Sequence, residues 1–464
     1  MHVKLSAIPA GILGGIFLSG CVMVGPDYVK PSLVVPAEFK ELKGWKAAQP
    51  AEDFAKGNWW QVFDDADLNM LEPQVAIGNQ TLKADEANYR AALSMIDQAR
   101  AAALPGLTLG ASAQNSISQS GGASSVGTGT LSTTVSWVPD IWGAVRRNVE
   151  SKTASAELSA AELANARLSL QSTLATAYFE LRGADELHDL LENTVKQYQH
   201  SLDIAQNQYK AGTSARSDVI TAQAQLLTAQ AQEINTGIAR TQYEHAIAVL
   251  IGKTPADFSL KHRGLGAHVP NIPASLPSRL LERRPDVVAA ERTMQEQNAL
   301  IGVAMAAYYP DISLTGNGGL VSSSLKSIGT NPAWSLATNL SQTLLNGGLT
   351  DATVAQARAN YDASVATYRQ TVLTAFQQVE DQLSAIHILT AEAKVQAEAV
   401  KAADQSVVIA LNEYQAGTQN FTTVVSAETI ALSAKETALA THQQHYIAAV
   451  ALITALGGGM TMTP

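Results

Sequence analysis

Tyr209-Lys210-Ala211-Gly212-Thr213 returns as Tyr414-Gln415-Ala416-Gly417-Thr418, and the second string begins 205 positions after the first. The same offset joins Leu104-Pro105-Gly106-Leu107-Thr108-Leu109 to Tyr309-Pro310-Asp311-Ile312-Ser313-Leu314. It also joins Val219 to Val424, Ala222 to Ala427 and Ile251-Gly252 to Leu456-Gly457, and sets Asp140-Ile141-Trp142-Gly143 opposite Leu345-Asn346-Gly347-Gly348. Landmarks held in one register over most of a chain mark an internal duplication. Between them the similarity is weak, so the halves share a plan more than a sequence. The expected repeats are 67–253 and 277–457, joined by a Pro-rich linker over 254–276.

Each half reads the same way. A helix, about 67–102 and again 277–307, runs into a break at Pro105 or Pro310. Period-two alternation follows, with Leu107, Leu109, Ala111 and Ala113 on one face and Thr108, Gly110, Ser112 and Gln114 on the other. After a Gly/Ser-rich loop (118–130, then 322–332) a second strand returns, through Leu131, Thr133, Val135 and Trp137, or through Trp334, Leu336, Thr338 and Leu340. These patterns predict β-hairpins over 107–138 and 312–341. Val145 to Tyr209 contains no proline and would span about 95 Å if helical throughout. A seven-residue spacing runs through Leu163, Leu170, Ala177, Ala184 and Leu191, and its alanines let helices approach closely. Gly212 and Gly417 permit tight reversals, so helical hairpins are predicted over 145–250 and 350–456.

The strands are long enough to cross a bilayer at a tilt, and their polar faces require water. A soluble hairpin with one wet face is the alternative. If the strands are transmembrane, four are too few to close a barrel, and open edges are not tolerated in hydrocarbon. The barrel must then be shared between chains. The expected fold is a mixed α and β membrane protein: a shared transmembrane β-barrel with four strands per protomer, continuous with a long α-helical barrel.

The N-terminus gives an address. Lys4 precedes an almost wholly apolar stretch from Leu5 to Leu18, and Leu18-Ser19-Gly20-Cys21 closes it. Residues 1–20 read as a secretory signal, and Ser19-Gly20-Cys21 as a lipobox with Cys21 as the acylated residue. Acyl chains of the palmitate type on Cys21 would anchor the mature chain, with 21–66 as a lipidated, extended N-terminal segment. Val22 follows in place of an aspartate, which favours the outer membrane of a Gram-negative cell. Cys21 is the only cysteine, so an intramolecular disulfide is excluded. With 31 basic and 41 acidic residues the net charge is −10, which offers no basic patch for nucleic acid.

Four stretches resemble a known family. They are Gly25-Pro26-Asp27-Tyr28 with Pro31, Trp59-Trp60-Gln61-Val62-Phe63, Leu276-Pro277-Ser278-Arg279-Leu280-Leu281-Glu282-Arg283-Arg284-Pro285-Asp286-Val287, and Tyr309-Pro310-Asp311-Ile312-Ser313-Leu314-Thr315. The chain is similar to the TolC-like outer-membrane efflux channels, specifically the lipidated branch that works with resistance–nodulation–division pumps. The resemblance implies a homotrimer with a twelve-stranded barrel and a periplasmic helical tunnel. It implies partners in a periplasmic adaptor (membrane fusion) protein and an inner-membrane pump, with outer-membrane lipid around the barrel. The adaptor-docking tips then map to Ala211, Gly212, Thr213, Ala416, Gly417 and Thr418. The family's periplasmic gate maps to Asp218 and Tyr414, with Gln419 replacing an arginine and Thr423 and Ser426 standing where acidic residues are common. A polar gate with little charge is expected, Glu428 being the nearest carboxylate.

No reactive constellation accompanies this plan, so no catalytic residue, cofactor or metal is expected beyond the lipid on Cys21. His442 and His445, three apart on the last helix, lack a third metal ligand in sequence and read as solvated polar positions. Asp185, Glu186, Glu380 and Asp381 likewise read as surface. The expected function is a passive exit duct for drugs or other small toxic compounds. The alternatives are the same channel serving metal-ion efflux or type I secretion, or a lipidated coiled-coil scaffold without a pore. Residues 458–464 are expected to form a short tail.

Overall fold

The computed structural model describes residues 23–32, 39–42, 57–118, 124–270, 272, 284–322 and 332–458. The signal stretch, the lipobox with Cys21, most of the Leu276–Val287 motif and nearly all of the tail lie outside these residues. The helices are α1 (Ala66–Gly78), α2 (Gln80–Ala101), α3 (Ala144–Lys210), α4 (Arg216–Leu250), α5 (Pro285–Ala306), α6 (Leu349–Gln415) and α7 (Phe421–Ala455). The strands are β1 (Gly106–Ser118), β2 (Ser124–Trp137), β3 (Asp311–Ser322) and β4 (Pro332–Ser341). Both predicted β-hairpins and both long helical hairpins are present, with their outer ends moved by a residue or two; the loop expected over 118–130 is shorter, because the β1–β2 ladder continues to Ser118 opposite Ser124. The chain divides into two compact units, each gathered from three stretches.

The first unit comprises Met1–Ser32, Ala87–Ala160 and Ala289–Arg369. Its four strands form one antiparallel sheet in the order β1-β2-β3-β4. Cross-strand partners share a face, so the register sorts the side chains. Leu107 meets Val135 and Leu109 meets Thr133. Trp137 meets Leu314 and Leu131 meets Leu320. Ile312 meets Leu340, and Gly316 meets Leu336. One face is therefore almost continuously apolar across both halves of the chain, yet Leu107, Leu109, Trp334 and Leu336 are exposed. The opposite face carries hydroxyls and amides, bridged by Thr134 Oγ1 donating to Asn317 Oδ1 at 2.9 Å.

Below the sheet an N-terminal arm is bound to the helices of the same unit. The Arg147 guanidinium, side chain 1% exposed, donates to Val24 O (3.1 Å), Gly25 O (3.1 Å), Asp27 (2.9 Å) and Glu150 (2.7 Å). Val24 N–H donates to Trp142 O at 3.0 Å. Asn298 Nδ2 donates to Pro26 O at 2.9 Å, and Lys30 pairs with Glu291 at 2.6 Å. Gly25 has φ +96°, and a Cβ there would lie 2.4 Å from Gly302 Cα. The backbones touch where the family-like Gly-Pro-Asp-Tyr string begins, which accounts for a glycine on each side.

The second unit comprises Leu33–Glu86, Ala161–Val288 and Gln370–Pro464. Trp59 and Trp60 are buried, and beside them Phe179 stacks on Tyr446 at 4.6 Å between ring centroids and meets Phe63 at a tilt at 4.9 Å. The single helix expected over 67–102 is instead two. Asn79 is extended, its Oδ1 accepting Thr81 and Leu82 N–H while its Nδ2 donates to Leu250 O. The break is tertiary in origin: a Cβ on Gly78 would sit 2.0 Å from Ile251 O, so the backbones are in contact here.

Of the polar side chains read as surface, one is buried in this unit and four are half-buried. Asp185 is fully buried and accepts from Arg240 Nε (2.7 Å), Arg182 (3.3 Å) and the Arg263 backbone N–H (3.1 Å). Arg182 also donates to Asp67 at 2.8 Å and Lys261 O at 2.7 Å. Glu186 accepts the Leu265 N–H, and Glu380 accepts the Lys40 and Glu41 N–H groups. Asp381 is exposed. His442 and His445 are half-buried rather than solvated, and burial lowers the pKa of each ring. These groups cross-link elements distant in sequence, which polar neighbours along one helix do not reveal.

Glu72 on α1 is fully buried without a hydrogen-bond partner among the described residues, and burial pushes its carboxyl up to about 9. The folded chain thus keeps a proton that the unfolded chain releases above about 4.5. Stability must fall as pH rises between these values, with a slope approaching about 1.4 kcal/mol per pH unit from this group. Glu72→Gln is expected to flatten that dependence in urea denaturation midpoints measured from pH 5 to 9. An unchanged profile would show that Glu72 ionises freely in the fold.

Candidate functional site

The two helical hairpins of the second unit meet near their reversals. Tyr198, Leu202, Ala205, Ala222, Leu226 and Ala229 from the first pack with Ala410, Tyr414, Phe421, Val424 and Ala427 from the second. Ala205 with Ala410, and Ala222 with Ala427, are repeat-equivalent pairs, so the small residues of each half face each other at the seam. Alanine at these places lets the helix pairs close together without voids.

Both tips turn identically. At the first, Gly212 has φ +76° and the Thr213 N–H donates to Gln208 O at 2.9 Å. At the second, Gly417 has φ +71° and the Thr418 N–H donates to Glu413 O at 3.0 Å. Each threonine hydroxyl repeats its own backbone bond at 3.0 Å. This is the left-handed glycine closure of a helix C-terminus. Ala211, Gly212, Thr213, Ala416, Gly417 and Thr418 are all exposed, and a Cβ on either glycine would meet nothing within 4 Å. Space does not demand glycine here; the positive φ does.

Behind the tips the repeat loses its symmetry. Tyr414 is 3% exposed, whereas its counterpart Tyr209 is 46% exposed. The Tyr414 hydroxyl donates to Asp218 Oδ2 at 3.4 Å. Burial raises the pKa of that hydroxyl, and the neighbouring Asp218 charge adds to the rise. Thus Asp218 and Tyr414 are brought together as expected. Gln419 does not join them, since its Oε1 accepts from Thr423 Oγ1 at 3.4 Å. Thr423 belongs to the start of α7, where its N–H donates to Asn420 Oδ1, and Ser426 is exposed.

Two further residues join the hairpins: Gln208, not singled out in the sequence, and Glu428, expected only as the carboxylate nearest the gate. Gln208 Nε2 donates to Tyr414 O and Gln415 O, both at 3.2 Å. Glu428 is buried, receiving Ser201 Oγ at 2.5 Å and Gln225 Nε2 at 3.1 Å. Burial raises its pKa, while those two donors oppose the rise. Glu428 is therefore an internal brace between α3, α4 and α7, not a free carboxylate beside the tips. Its place was legible, because Val424, Ala427, Glu428 and Ala431 form one helical stripe. Tyr414→Phe should cost about 0.5–1.5 kcal/mol through the lost hydrogen bond, while Tyr209→Phe should be neutral. Hydrogen exchange at the amides of 410–425 would read the difference, and equal effects would refute the asymmetry.

Comparison with known proteins places this architecture. The family model for the outer membrane efflux protein matches residues 72–253 and again 276–458, one match to each repeat. The chain is 28% identical to the toluene efflux pump outer membrane protein TtgC of Pseudomonas putida, over 98% of this chain and 94% of that protein. It is 27% identical to the pyoverdine export outer membrane protein OpmQ of Pseudomonas aeruginosa, over 95% of this chain and 96% of that one. The solved outer-membrane channel OprN superposes with a TM-score of 0.87 at 29% identity, covering 94% of this chain and 99% of that structure. With two family-matched repeats, a two-faced sheet and paired helical hairpins in hand, the conclusion is direct: the chain belongs to the outer membrane efflux protein family and is the outer-membrane channel of an efflux pump.

Proposed function

We propose that three copies of this chain form a passive duct, which receives drugs, solvents or other small toxic compounds from an inner-membrane pump and releases them outside the cell. The observation that carries this reading is the four-stranded sheet, with one apolar face, one hydroxyl- and amide-bearing face, and two edges that lack a partner strand among the described residues. No described helix is long and apolar enough to cross a membrane. Closing β1 of one copy on β4 of the next satisfies the edges, and three copies bring twelve strands. Exposed apolar residues at multiples of seven give the helices matching seams: Ile220, Leu227 and Ile234 on α4, and Ile388 and Val395, with Ile409 two repeats further on, on α6. Such stripes suit helix packing between copies.

The remaining parts follow on the same reading. Cys21 carries the lipid that holds the N-terminus at the outer membrane, while the helical hairpins extend into the periplasm. The tips at Ala211–Thr213 and Ala416–Thr418 dock a periplasmic adaptor, completing a tripartite assembly with a pump of the resistance–nodulation–division type. The relatives whose names mention toluene and pyoverdine support small organic cargo. Asp218 and Tyr414, with Gln419, Thr423 and Ser426 nearby, form the periplasmic gate.

Two experiments test this. Leu109→Arg sets a charge on the apolar face and should cost about 2–4 kcal/mol near the bilayer midplane, whereas Ser112→Arg on the other face should be tolerated. Wild-type and Ser112→Arg proteins should then run as crosslinked trimers and conduct in planar bilayers, with Leu109→Arg failing at both. A pore-free wild type, or equal tolerance of both arginines, would overturn the reading. Separately, Asp218→Ala should raise single-channel conductance by freeing Tyr414, and unchanged conductance would count against the gate.

A further inference from the structure

The duplication supplies an internal control at the tips. Position by position, the two reversals have the same Ala-Gly-Thr, the same positive glycine φ and the same closing bonds from the threonine, so the difference in what they present lies in side chains. At the second tip the flanking positions are occupied by Tyr414, Gln415 and Phe421. Tyr414 and Phe421 are 3% and 1% exposed and pack edge to face at 5.1 Å, so this tip spends its large side chains inside the protomer. At the first tip the equivalent positions are Tyr209, Lys210 and Arg216, all exposed. Neither Lys210 nor Arg216 has an ion-pair partner among the described residues. The nearest carboxylate in sequence, Asp218, is engaged by Tyr414 instead. The first tip therefore offers an aromatic ring and two exposed cations that have no ion-pair partner among the described residues, and the second, whose charged residue is Glu413, offers no cation.

We infer that the two tips are unequal docking sites, and that the first, through Tyr209, Lys210 and Arg216, selects an adaptor whose own docking loop carries exposed carboxylates. This rests on the adaptor-docking reading above and adds the chemistry of the partner. Tyrosine and arginine are the residue types that concentrate binding energy at protein interfaces. Arginine takes a carboxylate through two parallel N–H···O bonds, while lysine adds charge without fixed geometry. Exposed charges of one sign act mainly on encounter rate and on rejection of wrong partners. The second tip, lacking them, supports docking through its backbone turn and contributes no charge selection.

The test uses the full-length channel in detergent and purified periplasmic adaptors from the same cell, chosen to differ in the net charge of their docking loops. Binding is measured at 50 and 300 mM salt. The tightest adaptor should have an acidic loop and should weaken about tenfold or more at the higher salt. Lys210→Glu with Arg216→Glu should weaken it by at least a similar factor, and exchanging the loop carboxylates for lysines should restore binding to that variant. Gln415→Glu at the second tip should leave affinity within about twofold. Both cations are exposed, so the reversal variant is expected to keep the wild-type melting temperature. A neutral or basic loop on the tightest adaptor, or indifference to the reversal, overturns the inference. Gly212→Val with Gly417→Val separates the two levels. If that pair abolishes binding while the charge reversal does not, tip docking stands and charge selection falls. If neither changes binding, docking at the tips falls with it.

Discussion

A β-strand has hydrogen-bonding groups on both edges, and hydrocarbon contains nothing to satisfy them. In water an open edge exposes a chain to aggregation; in a bilayer each unpaired amide costs several kcal/mol. Most of this protein's design follows from that penalty. Its four strands pair β1-β2-β3-β4, which satisfies the interior of the sheet and leaves β1 and β4 each with one side that has no partner strand among the described residues. The register keeps the large apolar residues Leu107, Leu109, Leu131, Val135, Trp137, Ile312, Leu314, Leu336 and Leu340 on one face, so a shift of one residue would turn Leu107, Leu109, Leu336 and Leu340 toward the polar side. A single copy therefore has a sheet that is complete in pattern and incomplete in bonding. On the proposed reading, association with further copies is the physical remedy, and duplication halves the number of copies needed for a given barrel.

Duplication also explains the way backbone symmetry coexists with chemical asymmetry. Where geometry is demanded, the halves agree: Gly212 and Gly417 share a positive φ, and the following threonines share the same closing bonds. Where two halves must meet across a seam, small residues recur, as at Ala205 with Ala410 and Ala222 with Ala427. Elsewhere the copies have diverged. Asp140 accepts the Val145 and Arg146 N–H groups at the start of α3, while the matching segment before α6 uses Asn346, Gly347 and Gly348. Tyr414 is drawn inward and Tyr209 is left outside. Repetition fixes the framework, and single substitutions then assign different tasks to equivalent places.

How much of this could be read from the chain depends on the range of the interaction concerned. Strand alternation, the proline-free helical stretches and the glycine reversals are local, so period and turn chemistry located them within a few residues. Side chains acting across the fold were harder. Asp185 sits among polar helical neighbours, and only the folded chain brings Arg182, Arg240 and the Arg263 N–H onto it. The break at Asn79 has no proline to announce it; it arises because Gly78 and Gly252 touch across separate elements. Pairing of Asp218 with Tyr414 entered through family resemblance, whereas the burial that distinguishes Tyr414 from Tyr209 needed the structure. Glu428 was the intermediate case, since its apolar stripe was visible while its partners Ser201 and Gln225 were not.

The balance of forces at the tips bears on what closes such a duct. The polar contact between Tyr414 and Asp218 is long, and a hydrogen bond to a charged group contributes about 1.5–3 kcal/mol at best. Among the described residues no guanidinium bonds to either partner, and Gln419 is turned to Thr423. The apolar seam beside it is larger: Leu202, Leu226, Phe421 and Val424 are buried there, and each such side chain contributes about 1.5–3 kcal/mol. Glu428 then ties α7 to α3 and α4 within the same region. Packing, not the polar pair, is therefore the dominant attachment of one hairpin to the other within a protomer. Opening that pulled the hairpins apart would have to break this seam, whereas opening that moved both hairpins as one body would spare it.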